Sequence, residues 1–489
     1  MAKKKSARSK LPPKVYAELS PKSRGYKSLF DLDEPVTSQN VKEYFSDPDV
    51  ILDTIKELRK LKMKVLGTNG ITINVVAEPK QYEEIFSTEL TAYELPSMKP
   101  FGQMSTTTFI DTNDNDKPSF LDQTRSPTPL ADLLEGGAIN RKVYFMSSHL
   151  PPNTTYWNLD VPSEVSLALN ADRVHRANIT GRGIKVVMVD SGWYRHPFFV
   201  QRGYRANPTV LSPDATNPDH DESGHGTGES ANIFAVAPDV EFTMVKMNDV
   251  NPTADMNAAV ALKPDIISCS WGFDLREEDG EPATSLSPDL QPLSAAVANA
   301  VSQGIIVVFS AGNGHYGFPG MHPDVISAGG VYMNPDGSLE ATQYASGFDS
   351  KIFADRNVPD VCGLVGLPPK AIYITLPVEP NCDIDQRLAG NKYPNGDETE
   401  KNDGWAAFSG TSAAAPQVAS ICALIKQACP KLSYTQVRDI LIKTARDVTR
   451  GKCSASTKAH AARPGPDLAT GTGLVDALRA VQQAQEFCS

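Results

Sequence analysis

No stretch of this chain approaches the ~20 consecutive apolar residues that a helix needs to cross a bilayer. The N-terminus is basic, but no apolar segment follows it, so no secretory leader is read there and a reducing cytoplasm is the expected compartment. Metal-binding patterns are also missing. The seven cysteines, at 269, 362, 382, 422, 429, 453 and 488, form no CxxC pair and no Cys/His spacing of a zinc site, so neither a metal nor another cofactor is expected. Cys269 and Cys422 lie in apolar runs and read as buried thiols. A Cys362–Cys382 bridge stays open. There is no internal repeat. What remains is ordinary globular material, 40% hydrophobic and 21% charged over 489 residues, long enough for about two or three domains.

Acidic residues are scarce at one end only. Residues 1–28 hold nine Lys or Arg and the single acid Glu18, leaving 38 basic and 57 acidic residues in the body. The basic arm can touch an anionic partner, fold back on the acidic body, or be a solvated tail. Its opening MAKKKSARSKLPPK lacks aromatic interleaving and an apolar face, which favours the tail, and nothing in the body suggests nucleic acid as a partner.

Organisation changes along the chain. Residues 1–30 read as a disordered arm and 31–95 as a small α+β unit. Asp47-Pro48 marks a helix start, with Ile51, Ile55, Leu58 and Leu61 on one face. Strands over 63–66 and 71–76 flank a turn at Asn69-Gly70, and Pro79 opens a second helix. Residues 96–158, rich in Thr, Asp, Pro and Ser, read as a linker and processing region. From 159 to 489, apolar strands at 183–189, 240–247, 265–269, 304–309 and 325–331 alternate with helices at 290–302, 412–428 and 434–446. Strands apolar throughout and separated by helices indicate an α/β fold, a parallel sheet covered on both faces. Reactive groups in such sheets lie at the carboxyl ends of the strands.

Four residues stand where that rule puts chemistry. Asp190 ends the strand of VVMVDSG, where it orients a neighbour or caps the next element. His225 lies in DESGHGTGE at a helix start, and by itself is no more than one histidine among eight. Ser412 lies in SGTSAAAP, as an N-cap or as a nucleophile beside free N–H groups. Asn313 lies in SAGNG, as a turn residue or as an oxyanion donor.

Taken together, DSG, GHGTG, SAGNG and SGTSAAAP, in the order Asp, His, Asn, Ser and with spacings of 35 residues from Asp190 to His225 and 187 to Ser412, resemble the subtilisin-like serine proteases. The closing GTGLVDALRAV resembles that family's final helix. The resemblance implies a serine endopeptidase with Ser412 as nucleophile, His225 as base and acid, Asp190 as its orienting partner, and Asn313 with the Ser412 backbone N–H as oxyanion donors. Ser191 and Thr411 are expected in supporting positions. Ser270, Trp271 and Gly272 would line one side of the substrate cleft, with Trp271 narrowing a neighbouring pocket. Gly312, Gly314 and Gly317 would form a roomy opposite wall suited to apolar or aromatic side chains. The family's HGTH is HGTGE here, and only ten residues separate Thr227 from Pro238, so no calcium loop is expected there. The unit before residue 96 resembles a pro-domain of the sedolisin type, implying a self-processing zymogen whose partners are protein substrates and its own pro-domain as an intramolecular inhibitor. A protease dedicated to one partner inside the cell, or a silent binding protein on the same fold, are the alternatives.

Overall fold

The computed structural model describes residues 8–30, 35–99, 103–112, 117–145 and 157–488. In the N-terminal part, strands β1 (Val15–Pro21), β2 (Lys64–Thr68), β3 (Ile73–Ala77), β6 (Phe120–Leu121) and β7 (Leu134–Ile139) form one antiparallel sheet, ordered β2-β3-β1-β7-β6. Helices α1 (Pro48–Lys60) and α2 (Pro79–Phe86) cover one face. Alternation explains this sheet. Val15, Ala17 and Leu19 point toward Leu58, Tyr82 and Phe86, while Glu18 and Ser20 point the other way. Asp47 takes the N-cap position of α1, but its carboxylate pairs with Arg24 instead of capping. A long hairpin, β4 (Thr91–Lys99) and β5 (Gln103–Asp111), stands beside this sheet.

Two expectations need correcting here. The span read as a disordered arm contributes β1, the central strand of the sheet, because the flanking lysines hide a short alternating run. The span read as a linker contributes β5, β6, β7 and the short β8 (Tyr144–Phe145). Glycine-rich LEGGAI of β7 carries too little apolar pattern to read as a strand.

The second part is built on β9 (Lys185–Asp190), β10 (Val210–Leu211), β11 (Glu241–Lys246), β12 (Ile266–Cys269), β14 (Ile306–Ser310), β16 (Ile326–Met333), β17 (Leu339–Ala341) and β18 (Val361–Leu364). Their order is β10-β11-β9-β12-β14-β16-β17, with β18 also beside β16. All of these pairs are parallel except β16 with β17. Two side strands, β13 (Trp271–Asp274) and β15 (Gly317–Phe318), leave this sheet and pair with each other. Val186, Met188, Phe242 and Val308 face helices α3 (His225–Val236), α6 (Thr411–Ala428), α7 (Tyr434–Thr444) and α8 (Ala477–Cys488). Val187, Val189, Val245 and Phe309 face α4 (Pro252–Ala261) and α5 (Gln291–Ser302). Helices on both faces leave only the strand ends for a site.

Cys429 and Cys488 form a disulfide that ties the end of α6 to the end of α8 across a sequence separation of 59. By chain entropy alone such a closure is worth about 4 kcal/mol. The pairing left open in the sequence does not form: Cys362 and Cys382 are buried free thiols. Among the described residues, no helix is long and apolar enough to cross a membrane.

Candidate active site

β9 ends at Asp190 and α3 begins at His225, so the two residues meet at the carboxyl edge of the sheet. Both are fully buried, and Asp190 Oδ1 accepts from His225 Nδ1 at 2.7 Å. The approach depends on Gly226: a Cβ there would stand 2.4 Å from the Gly192 carbonyl oxygen and 3.1 Å from the Asp190 Cβ. Burial alone lowers the His225 pKa. The Asp190 carboxylate and its hydrogen bond, aided by Glu229 and Asp221, outweigh that effect and push it up to about 9.

Ser412 is the second residue of α6, whose partly positive N-terminus is also fully buried. Pro416 lies one turn further on and has no N–H to give the Ser412 carbonyl. The Ser270 hydroxyl takes its place, donating to that carbonyl at 2.9 Å, while Ser412 Oγ donates to the Ser270 carbonyl at 3.4 Å. A proline that would weaken an ordinary helix thus ties the start of α6 to the entrance of β13. Thr411 N and Oγ1 both donate to Asn313 Oδ1 at 3.0 Å, which turns the Asn313 amide nitrogen away from Thr411. Ser191 Oγ accepts from Gly226 N at 2.9 Å and donates to Asp221 at 2.7 Å. β13 pairs antiparallel with β8, Gly272 opposite Tyr144 and Trp271 opposite Phe145.

The Subtilase family matches residues 181–473, more than half of the chain. The chain belongs to the subtilase family. It is 25% identical over 293 residues to M-protease from Shouchella clausii (strain KSM-K16), covering 57% of this chain and 63% of that protein. To subtilisin E from Bacillus subtilis (strain 168) it is 27% identical over 309 residues, covering 58% and 66%. These matches therefore span somewhat under two thirds of both relatives. Among solved structures, fervidolysin from Fervidobacterium pennivorans, a keratinolytic enzyme related to subtilisin, shares the fold with a TM-score of 0.57 at 14% identity, over 99% of this chain and 62% of that one.

In this subtilase the cleft walls differ from the sequence expectation. The Trp271 indole narrows no pocket. It is fully buried beneath the sheet, edge-on to Phe309, and its N–H donates to the Val189 carbonyl at 2.9 Å. Gly312 and Gly314 do not open a roomy wall along their Cβ directions, which run into Ser346 Oγ at 2.9 Å and Ser454 Oγ at 3.0 Å. Both have positive φ, 112° and 88°, which is why glycine stands there. Gly317 lies in β15 and pairs with Asp274 of β13.

Sequence reasoning missed Asp221, Glu229, Asp274 and Arg276. The Arg276 guanidinium donates to the carbonyls of Gly314 at 3.0 Å, Gly280 at 2.8 Å and Ser456 at 3.1 Å, pairs with Asp274, and lies 4.5 Å from the centre of the Tyr316 ring. Asp274 also accepts from Tyr316 N at 2.9 Å. Acidic residues dispersed among DESGHGTGE and DLREEDG look like solvated surface. The only available signal was Glu229, which opens an otherwise apolar helical run.

Proposed function

We propose that this subtilase is a serine endopeptidase using Asp190, His225 and Ser412, made as a self-processing precursor. The observation that carries the reading is the buried Asp190–His225 hydrogen bond at the sheet's carboxyl edge, with Ser412 opening the helix packed against the one that His225 opens. Asp190 holds the Nδ1 proton of His225, which leaves Nε2 to act as base. Ser412 Oγ attacks the scissile carbonyl and passes its proton to Nε2. The imidazolium then returns that proton to the leaving amine, and water repeats the sequence on the acyl-enzyme. The Ser412 backbone N–H and the Asn313 amide would hold the oxyanion. β13 offers an extended substrate a backbone edge that leads to Ser270 and Ser412.

Residues 312–317 carry no acid, and Asp274 is already paired with Arg276. That wall therefore offers a basic side chain no free counter-charge, so apolar or aromatic side chains are favoured, and selectivity should be broad, since one methylene is worth only ~1–3 kcal/mol in an apolar site.

The reading of the N-terminal unit as an intramolecular inhibitor draws support from β8, which runs antiparallel along β13 in the lane a substrate would use. Two ion pairs anchor the chain just before it, Arg141 with Asp289 at 2.7 Å and Lys142 with Asp249 at 2.9 Å. β8 itself, with Tyr144 opposite Gly272 and Phe145 opposite Trp271, is directed toward the Ser270 end of β13, so self-cleavage is expected within a few residues past Phe145. Intact mass and N-terminal sequencing test this. Wild type should yield a fragment beginning shortly after Phe145, while Ser412→Ala stays full length and no longer reacts with a fluorophosphonate. Equal cutting of Ser412→Ala would assign the processing to another protease.

A further inference from the structure

Helix α3 carries a second ionisable group on the face of His225. Residues four apart on an α-helix lie one above the other, which places Glu229 one turn beyond His225. Glu229 is fully buried; its Oε2 accepts from Asn232 Nδ2 at 2.9 Å, and its Oε1 has no hydrogen-bond partner among the described residues. The titratable groups that act on it or feel it are His225 on its own helix, Asp190 at the end of β9 and Tyr344 beyond β17. His225 in turn faces Asp190, Glu229 and Asp221.

The Asn232 amide carries the contact onward. Its Oδ1 accepts from Gln417 Nε2 at 3.1 Å, and Gln417 clamps Leu364, accepting from its N–H at 2.7 Å and donating to its carbonyl at 3.1 Å. Glu229 is thus joined through two amides to α6, at a point five residues beyond Ser412. A bare carboxylate in such surroundings is costly, whereas the acid form needs no counter-ion. Burial accordingly pushes Glu229 up to about 8, against the opposing pull of His225.

We infer that Glu229 is a positioning residue for His225: a buried carboxyl one turn beyond it on the same helix, whose negative charge adds to that of Asp190 and makes the imidazole keep its proton. Glu229 thereby helps to set the pH at which the base becomes available. The inference rests on reading His225 as the general base.

Glu229→Gln keeps the volume and an oxygen for Asn232 but cannot ionise. In protein expressed as the whole chain and left to process itself, the acid limb of its kcat/KM profile is expected to move to lower pH by at least about half a unit, roughly a threefold gain in rate at a fixed pH on that limb. The His225 titration itself, followed by NMR of the imidazole Nδ1–H in a Ser412→Ala background, should shift in the same direction without any turnover. A wild-type chain without peptidase activity would count against the proteolytic reading, yet the NMR titration would still decide this one. Glu229→Ala, which strands Asn232, is expected to lower the thermal midpoint as well. If Glu229→Gln leaves both the limb and the imidazole titration unmoved, the inference is overturned. It is equally overturned if the variant only lowers kcat or stability, because the side chain is then structural.

Discussion

Asp221 gathers four donors in the interior: Ser191 Oγ, Thr227 N and Thr227 Oγ1 at 2.7 Å each, and Gly224 N at 3.0 Å. It fixes the first turn of α3 and, through Ser191, the loop that follows Asp190. Asp221→Ala would leave those donors unpaired, at about 1–3 kcal/mol for each that finds no substitute. A loss of roughly 3–5 kcal/mol is expected, as for other broken buried charge networks, read by urea unfolding in the Ser412→Ala background so that self-digestion does not intrude. The Asp, His, Asn and Ser positions were legible because glycines and small residues surround them in fixed patterns. Asp221 and Glu229 were not, because an acidic letter carries no mark of burial. Only the fold brings Thr227, Gly224 and Ser191 around one carboxylate.

Strands and helices of the second part follow the sequence pattern to within about two residues, as the helix expected over 290–302 and found at Gln291–Ser302 illustrates. Alternation of fully apolar strands with helices is a strong local signal. β8 has no such signal, since a two-residue strand exists only through its partner β13. β13 and the 312–317 segment also rely on a tertiary device, the Arg276 fork. Arg276→Ala should loosen the wall and leave the Asp274 carboxylate, only 5% exposed, without its cation. We expect kcat/KM on a peptide of four or more residues to fall about tenfold, mainly through KM, because the wall binds ground state and transition state alike. Arg276→Lys should not restore it, since an ammonium cannot reach the Gly280, Gly314 and Ser456 carbonyls in one planar fork. Steady-state kinetics of the two variants measures both effects, and wild-type KM in Arg276→Ala would contradict this role.

At the scale of the whole molecule, the N-terminal sheet lays its second face on α4 and α5. Asn74 and Asn251 exchange amide hydrogen bonds across the contact at 2.8 Å, and Asn140 donates to Asn251 at the same distance. Glu18 lies fully buried in this cluster, with Asn74 donating to it. Burial pushes it up to about 7, only partly offset by hydrogen bonds from Thr72, Asn74 and Asn140. The docked state therefore holds a proton that a free carboxylate releases in the ordinary range near 4.5. Its contribution to docking is complete below that range and is lost as pH rises through about 7. Glu18→Gln should flatten this dependence and tighten docking at pH ~8. Titrating the separated N-terminal unit against the processed domain at two pH values would show it, and an unchanged slope would exclude Glu18 as the linked group.

The Cys429–Cys488 bridge acquires a further meaning under the proposed proteolytic reading. Chain ends are where folded domains fray first. In a concentrated solution of such an enzyme, each frayed tail is a meal for its neighbours, and working life is governed by how often and for how long an end stays open. Anchoring α8 to α6 keeps that helix from opening into an extended strand that another molecule's cleft could take. Should a cut fall somewhere between residues 429 and 488, the pieces remain covalently together and can close again. Under that reading the bridge is expected to slow autolysis and to lengthen the protein's survival in its own company.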